Sequence, residues 1–132
     1  VQHSALYDRA VRLESVPNAL EQARAAAAWV CGQRKPNHAV PWFWSDQHGL
    51  KLQQAGLSQG HDRCVLRGDP GQRQFCVFYL KADRLIAADT VNRPADFMLV
   101  RRALGAGALP RVDPVALADE RIPLKATLAA GV

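Results

Sequence analysis

Residues 74–91, QFCVFYLKADRLIAADTV, hold two apolar runs on either side of the polar step Lys81-Ala82-Asp83. Both runs are rich in aromatic or branched side chains, the composition of a strand. Within the first, Phe75, Val77 and Tyr79 fall on one side of an extended chain, and Cys76, Phe78 and Leu80 on the other. Both sides are apolar, which predicts a central strand covered on both faces. The second run, Arg84–Val91, reads as its partner across a short turn.

Upstream, the turn residues GDPG (68–71) join this pair to another candidate strand, Arg63–Arg67, and Leu50–Ala55 is a further one. If that turn is a hairpin, Cys64 and Cys76 lie opposite each other on neighbouring strands. Either a disulfide or two buried small hydrophobes would follow. Downstream, Pro94 to Leu104 places Phe97, Val100 and Leu104 on one helical face. Two short helices are expected after Asp113 and Pro123.

On the N-terminal side, Val11-Arg12-Leu13 alternates like the end of a strand. SVPNALEQARAAAAWVCG (15–32) then reads as a helix, capped by Ser15, with Pro17 in its first turn and Gly32 at its end. QRKPNHAVP (33–41) has two prolines and no periodicity, so a boundary is placed there, dividing 1–38 from 39–132. The expected class is α+β: an N-terminal helix, then an antiparallel sheet of about four to five strands covered by C-terminal helices.

The chain of 132 residues carries 17 Lys and Arg against 12 acids, a net charge of +5. Such an excess suits nucleic acid, an acidic protein or plain solvation. The only adjacent basic pairs are Arg34-Lys35 and Arg101-Arg102, which argues against nucleic acid. No apolar run approaches the roughly 18 residues that would cross a membrane. VQHSALYDRA has no apolar signal-peptide core, and the cysteines are few, so a cytoplasmic location with reduced thiols is expected.

Most searches for chemistry fail. There is no phosphate-binding G-x-x-x-x-G-K and no nucleophile elbow. Gly105-Ala106-Gly107 ends a helix instead of opening one, so it is no dinucleotide fingerprint. His3, His38, His48 and His61 lack metal-ligand spacing. No catalytic residue and no metal site are assigned. What remains is PWFWSDQ (41–47), two tryptophans and a phenylalanine beside a polar step. Extended, it points Trp42 and Trp44 to one side and Phe43 to the other.

RLESVPNALEQAR, PWFWSDQ, GLSQGHDR, RGDP, VFYL and DTVNRP occur in this order along the chain. The ordered set resembles the C-terminal portion of FAD-dependent, NADH-oxidising ferredoxin reductases that supply oxygenases. The resemblance implies that residues 1–38 are the tail of an FAD-binding domain and 39–132 a small C-terminal domain. It implies upstream FAD- and NAD-binding domains as neighbours and a [2Fe–2S] ferredoxin as partner. FAD would bind the complete enzyme and not this fragment alone, which would be inactive.

The resemblance also implies site residues. Ser15 and Val16, at the helix start, would meet the pyrimidine end of the flavin, where free N–H groups favour negative charge. Trp44 would lie near the flavin on the exit path of electrons towards ferredoxin, whereas packing is the reading its composition alone favours. Arg24, Arg101 and Lys125 would face the acidic ferredoxin. The alternative is a free-standing dimerisation or interaction module with no catalytic link.

Overall fold

The computed structural model describes residues 1–129. The chain opens with a small hairpin, β1 (Gln2–Ser4) and β2 (Arg9–Val11), followed by helix α1 (Val16–Val30). Ser15 caps α1 as expected, its hydroxyl accepting the Asn18 N–H at 3.3 Å. Pro17 sits buried in the first turn, where a missing N–H costs nothing. The strand ends at Val11, so Arg12 and Leu13 lie in the connection to the helix.

The main sheet has five antiparallel strands in the order β3-β4-β7-β6-β5. They are β3 (Trp42–Gln47), β4 (Leu50–Gly56), β5 (Arg63–Asp69), β6 (Gln74–Lys81) and β7 (Arg84–Val91). Helix α2 (Pro94–Leu104), α3 (Pro114–Ala118) and α4 (Leu124–Ala129) follow. Phe97, Val100 and Leu104 of α2, Leu117 of α3, and Leu124 and Leu128 of α4 bury themselves with Cys76, Phe78, Leu80 and Ala88 in one core. At roughly 1.5–3 kcal/mol for each fully buried large apolar side chain, this layer drives the fold.

Two of the sheet's hairpins close through two-residue turns. Ala82 and Asp83, between β6 and β7, both have positive φ, the geometry that matches a two-residue hairpin to strand twist. His48 and Gly49 do the same between β3 and β4.

The third turn corrects an expectation. Pro70–Gln72 forms a short 3-10 helix, and Arg73 takes a left-handed conformation before β6 begins. This centres the turn between Gly71 and Gln72, so Cys64 pairs with Tyr79 and Cys76 with Arg67. The two cysteines therefore point to opposite faces, Cys64 exposed and Cys76 buried, and both are free.

A second correction concerns β6. Its alternation is as read, but β7 is the central strand, and the helices cover only the Cys76, Phe78 and Leu80 side. Across the sheet's other face, Leu52, Val91 and Phe75 form one cross-strand row, and Phe43, Gln54, Asp89, Val77 and Leu66 form the next. These side chains are half-buried or exposed among the described residues; the first row is apolar, and the second is apolar at its ends with Gln54 and Asp89 between. Asp89 accepts from Gln54 at 2.9 Å and from the Tyr79 hydroxyl at 2.7 Å. Burial and the neighbouring Asp89 carboxylate push the Tyr79 hydroxyl up to about 12.

Candidate functional site

The two tryptophans meet because they are two positions apart on one strand, and so share a face. Trp42 is half-buried and Trp44 is 39% exposed. Their rings stack with centroids 5.3 Å apart and planes inclined by 29°. Trp42 also leans on Phe97 of α2 at 5.7 Å, which ties the pair to the core. Phe43 points to the other face of the sheet and is 43% exposed.

Arg101 completes this group from α2. Its guanidinium lies 4.7 Å from the centre of the Trp42 ring, a cation–π distance. Arg101 and Trp42 line a narrow cleft with Leu13, Pro17, Asn18 and Glu21 from the α1 region. The cleft therefore joins the helix start, the aromatic strand and a basic residue of α2, three parts far apart in sequence.

At the helix start the donors can be counted. Pro17 has no N–H, Ala19 is paired to the Ser15 carbonyl at 3.0 Å, and Asn18 is held by the Ser15 hydroxyl. Val16 is 61% exposed, and its N–H has no acceptor among the described residues. It remains the one amide of the first turn able to meet an external group. The Ser15 hydroxyl already serves the helix as an acceptor.

The three basic residues read from the sequence are not equivalent. Arg24 is exposed and pairs with Glu21 at 2.6 Å, so its charge sits beside the same cleft, partly neutralised. Arg101 is half-buried over Trp42. Lys125 is exposed on α4 and does not line the cleft.

Sequence reasoning missed two features. Trp42–Gln47 is a strand paired along its whole length with β4, for which the glycine of the His48-Gly49 turn was the available signal. Arg67 is 5% exposed and donates to the carbonyls of Leu117, Asp119 and Ile122 at 2.8–3.1 Å. It holds the α3–α4 connection to the sheet. Nearby, Arg93 pairs with Asp96 at 3.2 Å and with Glu120. Among the described residues no group of His, Cys, Asp and Glu could hold a metal ion, and no helix is long and apolar enough to cross a membrane.

Residues 42–128 match a family described as Reductase C-terminal. The chain is 53% identical over 128 residues to putidaredoxin reductase CamA of Pseudomonas putida, covering 97% of this chain and 30% of that protein. It is 48% identical over 122 residues to the 5,5'-dehydrodivanillate O-demethylase ferredoxin reductase subunit of Sphingobium sp. (strain NBRC 103272 / SYK-6), covering 92% of this chain and 29% of that protein. Among solved structures it is similar to the covalent putidaredoxin reductase–putidaredoxin complex, with a TM-score of 0.89 and 51% identity over 98% of this chain and 30% of that one. The chain thus spans about three tenths of the length of these relatives. A helix followed by an antiparallel sheet and C-terminal helices is the architecture shared with the matched part of that structure. By sequence and by fold, this chain belongs to the reductase C-terminal family.

Proposed function

We propose that the chain is the C-terminal part of a flavoprotein that passes electrons from NADH through FAD to a [2Fe–2S] ferredoxin serving an oxygenase. The observation that carries this reading is kinship with named ferredoxin reductases, one of them solved as a complex with its redoxin. In this reading residues 1–38 are the tail of the FAD-binding domain and 39–132 the C-terminal domain. The remaining FAD- and NAD-binding parts of the same cytoplasmic enzyme precede them.

The site's chemistry supports the assignment. FAD, when bound, would accept a hydride from NADH and release electrons singly. The Val16 amide at the helix start would stabilise negative charge at one end of the flavin. Ser15 fixes that start by capping it. Trp44 would shield the flavin from water on the exit side and offer a short polarisable route outward. Arg24, the exposed edge of Arg101, and Lys125 would draw in an acidic ferredoxin, raising the rate of encounter.

The test is a full-length enzyme carrying this chain, purified with FAD and mixed with NADH and a [2Fe–2S] ferredoxin. Rapid reduction of the iron–sulfur centre is expected. An enzyme that bleaches its flavin with NADH and reduces dyes, yet delivers electrons to no ferredoxin, refutes the reading.

A further inference from the structure

We propose that Arg101 and Trp42 are positioning residues for Trp44, holding its indole stacked on the Trp42 ring. The functional half of this inference rests on the ferredoxin-reductase reading; the geometrical half does not.

Trp44 lies on β3, an edge strand, and is 39% exposed. An indole so placed can change rotamer in picoseconds to nanoseconds unless a neighbour holds it. Here the neighbour is Trp42, stacked at 5.3 Å. Trp42 is itself fixed by two contacts from α2: Phe97 at 5.7 Å and the Arg101 guanidinium at 4.7 Å. Phe97 is 2% exposed, so one support is the core itself.

Arg101 is the more informative support. Among the described residues it makes no ion pair and no side-chain hydrogen bond, although Glu21 lines the same cleft. Its planar head rests on the indole instead, an arrangement that suits arginine better than lysine. A cation over the ring face also stabilises the ring's electrons. Arg101 thus acts on Trp44 through Trp42, in addition to any contact its outer edge makes with a partner.

The first arm of the test uses this chain and circular dichroism. Two indoles this close couple their transitions and give a paired positive and negative band. The couplet is expected in the wild type and should vanish in Trp44→Phe. In Arg101→Met, which keeps the stem and loses the charge, the ratio of stacked to unstacked Trp44 should fall about two- to fivefold, the factor an exposed cation–π contact supports. Arg101→Lys should restore part of it. Arg101→Gln carries the same expectation as Arg101→Met, should that variant fail to fold. An unchanged couplet in a folded Arg101→Met or Arg101→Gln chain, or no couplet in the wild type, overturns the proposal.

The second arm uses the full-length enzyme at saturating ferredoxin. Arg101→Met should lower kcat for ferredoxin reduction by a similar factor, with Arg101→Lys intermediate. A change confined to KM and abolished by salt would make Arg101 a docking residue only, and the positioning role falls. A wild-type enzyme that reduces no ferredoxin defeats the reductase reading instead, and the couplet still decides the stack.

Discussion

Trp42 and Trp44 stack at 5.3 Å with their planes 29° apart, so neither indole can be removed without disturbing the other. Phe43, between them in sequence, faces the other side of the sheet and touches neither stack nor cleft. This relationship dictates how the aromatic strand must be probed. Trp42, two positions away on the same face, is no neutral control for Trp44.

In the full-length enzyme, Trp44→Ala should slow electron delivery to ferredoxin by about tenfold, equivalent to ~1.4 kcal/mol on that barrier. Hydride transfer from NADH should change far less. Trp42→Ala should share the defect, and Phe43→Ala should not. Stopped-flow measurement of the two half-reactions checks this. Equal slowing of both would reduce the tryptophans to packing.

Charge should act on encounter. Arg24→Glu places a carboxylate beside Glu21, and Lys125→Glu reverses an exposed charge on α4. The double variant should lower the second-order rate for ferredoxin while leaving dye reduction by NADH intact. The wild-type rate should fall with added salt, because exposed charges are screened over about 10 Å near 0.1 M. A rate indifferent to both salt and the variant would put the docking face elsewhere.

Arg67→Met should destabilise the chain by about 2–4 kcal/mol, because three carbonyls lose their charged donor at once. The helical signal of α3 and α4 should melt below the sheet. Urea titration followed by circular dichroism measures both effects. A loss under about 0.5 kcal/mol, the range of an ordinary surface change, would mean that water replaces the guanidinium freely.

The thiols should divide by accessibility. Burial, with the charge and hydrogen bonding of Asp96, pushes the Cys76 thiol up to about 12. At pH 8 its thiolate fraction is then about one in ten thousand. A disulfide-exchange reagent should label the exposed Cys31 and Cys64 in the native chain and reach Cys76 only after unfolding. Raising the pH towards 12 should lift protection of Cys76, since a group held protonated by the fold gives up that stability as pH rises through its folded value. Rapid labelling of all three at pH 8 would contradict the register of β5 and β6.

Much of this fold was legible because local and tertiary signals agree. Ser15 and Asp113 cap the helices their types suggest, and Phe97, Val100 and Leu104 bury the face their spacing draws. The register of β5 on β6 was not legible. It depends on Arg73 adopting a left-handed φ of 56°, which nothing in an arginine announces. Arg67 hid for a related reason: a charge within a strand reads as solvent-facing until the register puts it opposite buried Cys76. At the site, Ser15, Val16 and Trp44 were marked by resemblance, and so was Arg101. The contact of Arg101 with Trp42 joins residues 59 positions apart and leaves no local trace.

The strand order has a kinetic side. β3 with β4, and β5 with β6 and β7, are each built from neighbours in sequence, whereas β4 meets β7 across the intervening β5 and β6. Closing that seam is the one long-range loop closure the sheet demands, and long-range pairings fold slowly. Gly56 marks its tightest point: a Cβ there would lie 2.4 Å from the Ile86 carbonyl and 2.7 Å from the Tyr7 hydroxyl. Tyr7 in turn bonds Ile86 at 2.7 Å and Leu57 at 2.9 Å, clasping the two strands from the N-terminal hairpin. The two local sheets should therefore form first and wait for each other. Perturbing the seam, as with Tyr7→Phe or Gln54→Ala, should slow refolding. A change in the β5–β6 turn, which is already formed when the seam closes, should also slow refolding and leave the unfolding rate nearly unchanged; a turn variant that chiefly hastens unfolding would put seam closure before the local sheets.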